Sequence, residues 1–160
     1  MFQGESYVVL DDKSRLTVPA KYRVFIKEED LQKGFVLIHL PQENCLRMFT
    51  PSEWVTKIAG LRDIARQMPN PEQFMQVMMA HSETIDMDSQ FRVLVPQRLL
   101  AYANLERGME LAMVGATNHI QIWNKERWRE TAEKEQNQIQ DKLKDIRGLM
   151  GGYGETGERH

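Results

Sequence analysis

Two stretches of the chain alternate apolar and polar residues with a period of two: Val8, Leu10, Leu16 and Val18, and then Ile85, Met87, Val93 and Val95. That is strand spacing, because successive side chains of an extended chain leave opposite faces. Residues 11–15 and 88–92 interrupt the two runs with polar side chains, which predicts a hairpin connection in each. Pro19 and Pro96 end the strands, since proline has no amide to give a ladder, and short helices are expected after them. A second strand pair is predicted over 35–40 with 46–49, and a matching one over 109–114 with 120–123. Thr50-Pro51-Ser52-Glu53 has the form of a capping box with proline at the first helical position. It opens a helix whose apolar side is Trp54, Ile58, Leu61 and Ala65. Asn70-Pro71-Glu72-Gln73 repeats that signal, with Phe74, Val77, Met78 and His81 on one face of the following helix. Asn124 is the candidate cap of a long charged helix with a narrow stripe of Trp128, Ala132, Ile139, Leu143 and Ile146. From Gly148 onward glycines recur without apolar periodicity, so residues 148–160 are expected to form a mobile tail.

The chain repeats itself. Asp11, Arg15, Val18 and Pro19 recur as Asp88, Arg92, Val95 and Pro96, an offset of 77 positions. Leu31, Gly34, Leu37 and Trp54 recur as Leu105, Gly108, Leu111 and Trp128, an offset of 74, so the first copy holds three extra residues between Pro19 and Gly34. The same residue types in the same order argue for a duplication. The expected organisation is a first repeat over 1–69, a connecting helix over 70–83, a second repeat with its C-terminal helix over 84–147, and the tail.

Composition bounds the function. With 41% hydrophobic and 28% charged residues, the chain falls outside the disordered and membrane classes. Its 160 residues suit one core shared by two small halves. No apolar run reaches the roughly 20 residues that span a bilayer, and MFQGESY has no signal-peptide pattern, so a cytoplasmic location is expected. Cys45 stands alone, and His39, His81, His119 and His160 are scattered without metal-ligand spacing, so neither a disulfide within the chain nor a metal or other cofactor is expected. No phosphate loop or nucleophile elbow points to an enzyme or to a small-molecule substrate.

The segment Leu10-Asp11-Asp12-Lys13-Ser14-Arg15-Leu16-Thr17-Val18-Pro19-Ala20-Lys21-Tyr22-Arg23 resembles the MraZ family, which carries a doubled Asp-x-x-x-Arg signature. The similarity extends over nearly the whole chain, through Met1-Phe2, Gly4-Glu5, the second motif at 88–96, Ala101-Tyr102-Ala103, Val114-Gly115, Ile122-Trp123 and Glu126-Arg127-Trp128. The resemblance implies an α+β fold: two pseudo-symmetric, AbrB-like swapped-hairpin halves forming one small β-barrel-like domain with peripheral helices. It further implies a bacterial regulator of a cell-division and cell-wall gene cluster, associated with the nucleoid, that binds direct repeats in double-stranded DNA upstream of its own operon as a ring-shaped homo-oligomer. Four positions depart from the family pattern. Ser14 and Phe91 replace the usual glycine before each motif arginine, Leu100 stands where the first copy has Arg23, and Asn104 replaces a glycine. The two turns are therefore expected to differ in shape.

Arg15 offers a planar fork suited to guanine edges, and Lys13 a point charge suited to phosphate. Asp11 can accept turn amides and orient the Arg15 guanidinium, and Asp88 can do the same for Arg92. Candidate DNA-binding residues are thus Asp11, Lys13, Arg15, Lys21, Arg23, Asp88 and Arg92. An exposed Asp–Arg pair can equally serve only to stabilise its turn, worth roughly 0–1 kcal/mol. The net charge of −2 is awkward for a DNA reader. Over residues 1–27, however, Lys13, Arg15, Lys21, Arg23 and Lys27 outnumber Glu5, Asp11 and Asp12 by two, whereas over 84–100 Arg92 and Arg98 only balance Asp86 and Asp88. Weak single contacts favour an oligomer on repeated sites. The rival reading is a ring-forming protein-interaction module that uses the same hairpins without sequence-specific DNA binding.

Overall fold

The computed structural model describes residues 1–154. Met1–Lys125 forms one compact unit, and the chain from Glu126 onward forms a second. In the first unit the elements run β1 (Glu5–Val9), β2 (Arg15–Thr17), α1 (Ala20–Arg23), α2 (Glu28–Lys33), β3 (Phe35–Ile38), β4 (Cys45–Phe49), α3 (Pro51–Ala65), α4 (Pro71–Ala80), β5 (Ser82–Ile85), β6 (Arg92–Leu94), α5 (Gln97–Tyr102), β7 (Glu110–Gly115) and β8 (Ile120–Asn124). One further helix, α6 (Lys125–Gly154), follows. Both predicted caps form: Thr50 Oγ1 accepts from the Glu53 amide at 3.4 Å, and Asn70 Oδ1 from the Gln73 amide at 3.1 Å. Leu61 and Ala65 of α3 and Met78 of α4 are buried as their spacing predicts, but Val77 is 45% exposed and lies off the packed face.

β1, β7, β8, β4, β3 and β5 form one antiparallel sheet in that order, and β2 and β6 form a separate two-stranded ribbon. Two expectations are corrected here. The large sheet is not closed: β1 and β5 remain its edges, because β2 and β6, the strands next in sequence to those edges, pair with each other instead. The fold is α+β without a barrel. Apart from the bonds that close each turn and a single bridge between Met87 and Val93, the strands flanking each motif also do not pair as a hairpin. β1 lies on β7 and β2 on β6, so the partners are exchanged between the two repeats.

The exchange has a pseudo-twofold axis legible in the register. In the ribbon Leu16 lies opposite Val93, its own counterpart in the repeat; in the sheet Arg47 lies opposite its counterpart Gln121. Side chains from both halves fill one core, including Leu10, Leu16, Val18, Tyr22, Leu37, Val93, Leu99 and Leu111. Each is worth roughly 1.5–3 kcal/mol of burial for a residue of Val, Leu or Phe size. The sheet edges are covered by equivalent cations. Lys21 Nζ donates to the Glu5 carbonyl, and Arg98, at the matching place in the second repeat, donates to the Ala80 and Ser82 carbonyls. Satisfying outward carbonyls in this way protects an edge against further strand pairing.

The expected break at Gly148 is also corrected, since α6 runs to Gly154. A glycine ends a helix by taking the left-handed conformation, and Gly148 does not adopt it. Residues 155–160 of the expected tail lie outside the described residues. Among the described residues no helix is long and apolar enough to cross a membrane.

The N-terminus is held against β7 and the turn beyond it. Phe2 exchanges backbone hydrogen bonds with Thr117 at 2.8 and 2.9 Å, and a Cβ on Gly115 would collide with the backbone of Phe2 and Gln3. Gly115→Ala should therefore destabilise the protein by about 1–3 kcal/mol through overpacking. Urea unfolding checks this, and an unchanged midpoint would show that the N-terminal segment is not seated as described.

Candidate nucleic-acid interface

The two motif turns are the same object, bond for bond. In the first, Asp11 Oδ1 accepts from the amides of Lys13 and Arg15 at 2.9 and 2.8 Å, while Oδ2 accepts from Arg15 Nε at 2.9 Å. In the second, Asp88 Oδ1 accepts from Gln90 and Arg92 at 2.9 Å each, and Oδ2 from Arg92 Nε at 2.8 Å. Each aspartate amide also donates to its arginine carbonyl, at 3.0 and 2.9 Å. The expected difference in shape is absent. Ser14 and Phe91 both take the left-handed conformation that glycine takes without strain, with φ of 61° and 58°.

Neighbouring strands fix where these turns sit. The ribbon alternates strictly: Leu16, Val18, Val93 and Val95 face the core at 2% exposure or less, while Arg15, Thr17, Arg92 and Leu94 share the outer face. Arg15 lies opposite Leu94, and Arg92 opposite Thr17. The two arginines are therefore two residues apart along the ribbon, about 7 Å of strand rise. Their side chains are 30% and 31% exposed, open to solvent but not loose. Each uses Nε to bind its aspartate, and no other hydrogen bond to the terminal nitrogens occurs among the described residues. Thr17 and Leu94, the latter 58% exposed, belong to this face although the motif does not include them. Period-two alternation through Arg15 and Arg92 is the signal that identifies them.

Of the other candidates, Lys13 is exposed at the tip of the first turn. Lys21 and Arg23 are engaged within the fold: Lys21 on the β1 edge, and Arg23 through Nε to the Val18 carbonyl at 2.9 Å. The Arg23 guanidinium also lies 4.6 Å from the centre of the Phe91 ring, at the second turn rather than the first. Conversely Arg107 of the second repeat reaches the first turn, donating from Nε to Ser14 Oγ at 2.9 Å. Each of these two arginines thus adds a positive charge to the turn of the other repeat: the first turn gathers Lys13, Arg15 and Arg107 against Asp11 and Asp12, with Glu83 and Asp86 lining the cavity beside it, and the second gathers Arg92 and Arg23 against Asp88. Among the described residues no group of three or more His, Cys, Asp or Glu is placed to hold a metal. Cys45 is buried, which pushes its thiol up to about 12 and away from reactive chemistry.

A family model described as "MraZ protein, putative antitoxin-like" matches the chain twice, over residues 1–70 and 78–147. A protein from Pediococcus pentosaceus named transcriptional regulator MraZ is 33% identical over 141 residues, covering 88% of this chain and 93% of that protein. A protein of the same name from Clostridium acetobutylicum is 31% identical over 148 residues, covering 91% of this chain and 99% of that one.

Hydrogen bonding holds both motif carboxyls below the usual carboxylate range. For Asp11 the Arg15 amide contributes most, partial desolvation opposes it, and the Arg15 side chain and Lys13 amide add to the lowering; Asp88 has the same causes from Arg92 and Gln90. A carboxyl with a depressed folded value stabilises the fold above its unfolded value near 3.9 and loses that contribution as pH falls through the folded value. The Nε–H resonances of Arg15 and Arg92 should thus hold constant from pH 7 to about 4 and move only below it. In Asp11→Asn the Arg15 signal alone should shift at neutral pH. A midpoint for Arg15 in the ordinary aspartate range would contradict this account of the turn.

Proposed function

The chain belongs to the MraZ family, and on that premise we propose that it is a transcription regulator that grips duplex DNA with the outer face of its β2–β6 ribbon. The observation carrying this reading is the pair of identical turns, each holding its arginine by Nε and leaving the terminal nitrogens unengaged. The major groove of B-form DNA admits a two-stranded ribbon, and a guanidinium bidentate to guanine O6 and N7 is worth about 1–3 kcal/mol of discrimination. Orientation by aspartate limits the rotamers each arginine gives up on binding. Lys13 at the tip of the first turn suits a phosphate, and Leu94 on the same face suits a thymine methyl group. In this reading Lys21 and Arg23 act through the fold, by holding the β1 edge and the second turn.

With positive and negative charges close to balance around the turns, a single subunit has little hold on DNA. Several subunits joined on repeated sites gain by effective concentration what each contact lacks. This favours the homo-oligomer, ring and direct repeats implied by the family resemblance, and with them control of a cell-division and cell-wall gene cluster from a nucleoid-associated, cytoplasmic regulator. The expected role is regulatory rather than enzymatic.

The test begins with duplexes selected from a random library by the purified protein. Binding to the selected duplex should weaken steeply with salt, with each phosphate contact adding about 0.9 to the slope of log K against log salt. Arg15→Ala and Arg92→Ala should each weaken it by about 10- to 100-fold at matched salt. Unchanged binding in both variants would remove the ribbon from the reading surface, and salt-insensitive association with no preference among duplexes would point to the protein-interaction role.

A further inference from the structure

Each reading arginine follows a residue in a left-handed conformation that L side chains rarely adopt and that the surrounding structure must hold. The backbone around Ser14 is held by two bonds: its amide donates to the Asp11 carbonyl at 3.1 Å, and its carbonyl accepts from the Val95 amide of the other repeat at 2.9 Å. Phe91 has the same two, to Asp88 and from Val18, at 3.0 and 2.8 Å. The side chains then meet an arginine from the opposite repeat in two chemically different ways. Arg107 Nε donates to Ser14 Oγ, whereas the Arg23 guanidinium stacks on the Phe91 ring.

We propose that Arg107 is a positioning residue for DNA recognition, locking the first turn through Ser14 so that the Arg15 guanidinium is already aimed in the free protein. This inference rests on the ribbon reading above. Ser14 is 4% exposed, so its hydroxyl is buried and needs a partner, and Arg107 supplies it from 93 residues along the chain. The first turn has a further need for that bond. An open cavity of about 520 Å³ lies beside it, lined by Lys13, Ser14, Arg107, Asp86, Leu94 and Pro96 among others. Packing on that side is therefore incomplete. Phe91 fills more space at the second turn and is covered by Arg23, so that turn depends less on any single hydrogen bond.

Glycine at position 14 would take the same φ without strain and carry no hydroxyl to satisfy. Ser14→Gly should therefore relieve the need for Arg107, and the two substitutions should be non-additive. The experiment measures affinity for the selected duplex and for a random duplex across a salt series. Wild type, Arg15→Ala, Arg107→Ala, Arg107→Lys, Ser14→Gly and the Ser14→Gly/Arg107→Ala double variant are compared. Exchange of the Val95 amide is followed in each free protein.

Arg107→Ala should weaken the selected duplex by about tenfold, the worth of one hydrogen bond to a charged group. Its salt slope and random-duplex affinity should be unchanged, and its Val95 amide should exchange faster. Arg107→Lys should not rescue the affinity, since it lacks the planar Nε donor, and in the Ser14→Gly background Arg107→Ala should cost almost nothing. A loss shared equally by both duplexes, with the slope reduced by about 0.9, would make Arg107 a phosphate contact and overturn the proposal. An additive double variant, or unchanged Val95 exchange in Arg107→Ala, would also overturn it. If Arg15→Ala binds as wild type does, the ribbon reading itself fails, while the Val95 exchange still reports whether Arg107 locks the turn.

Discussion

The structure depends on an exchange of strands between its two repeats. A strand needs a partner for every buried amide and carbonyl, and although β3–β4 and β7–β8 pair within their own repeats, the strands around the motifs find theirs in the other repeat. β2 finds β6, β1 finds β7, and β5 finds β3. The carbonyls of Ser14 and Phe91 accept from the Val95 and Val18 amides of the opposite repeat. Fold and site are thus coupled: the ladder that closes the core through Leu16 and Val93 is the ladder that carries Arg15 and Arg92 on its other side. Loss of either repeat would expose apolar faces and also leave the surviving turn without half of its support.

Within that frame the aspartate does most of the local organising. One carboxylate accepts two turn amides and one guanidinium nitrogen, a demand on lone pairs that an ionised carboxylate meets and a neutral amide does not. The bland reading of the motif, an ion pair that steadies its own turn, and the functional one are therefore both physically grounded. The same bonds that steady the turn fix the arginine by its inner nitrogen and leave the outer two available. An interaction worth little as a surface salt bridge has larger consequences as a constraint on where a charge points.

Much of this was legible in the sequence because local rules govern it. The helix caps at Thr50 and Asn70, the prolines after the ribbon strands and the paired strands β3–β4 and β7–β8 all follow from spacing and from residues adjacent in the chain. The repeat itself was visible as residue types recurring in order. The partner of each motif strand was not, because period-two alternation says which face is buried and is silent on which strand lies alongside. A hairpin is the economical reading of that pattern, and the exchange between repeats was implied only by the resemblance to swapped-hairpin halves. The same blindness misplaced two arginines. Arg23 counted toward the first motif and Arg107 toward none, yet each crosses to the turn of the other repeat. The equal shape of the two turns was hidden for another reason. Serine and phenylalanine lack the freedom of glycine, and only the tertiary bonds around Ser14 and Phe91 show how each is kept in a left-handed conformation.

The pseudo-symmetry is a property of the backbone more than of the side chains, and that difference bears on what the ribbon can read. A ribbon with a true twofold axis would present the same face in both directions along a duplex and would suit a palindromic site. Here the arginines obey the axis, but Thr17 faces outward where its counterpart is Leu94, Lys13 where its counterpart is Gln90, and Ser14 is bonded by Arg107 where its counterpart Phe91 is stacked on by Arg23, which is not the repeat counterpart of Arg107. The outer face consequently has a direction: one end carries a point charge and a hydrogen-bonded turn, the other an uncharged amide and a stacked ring. Under the proposed function, such a face in a head-to-tail assembly would fit direct rather than inverted repeats, and the asymmetric side chains, not the duplicated motif, would impose that direction.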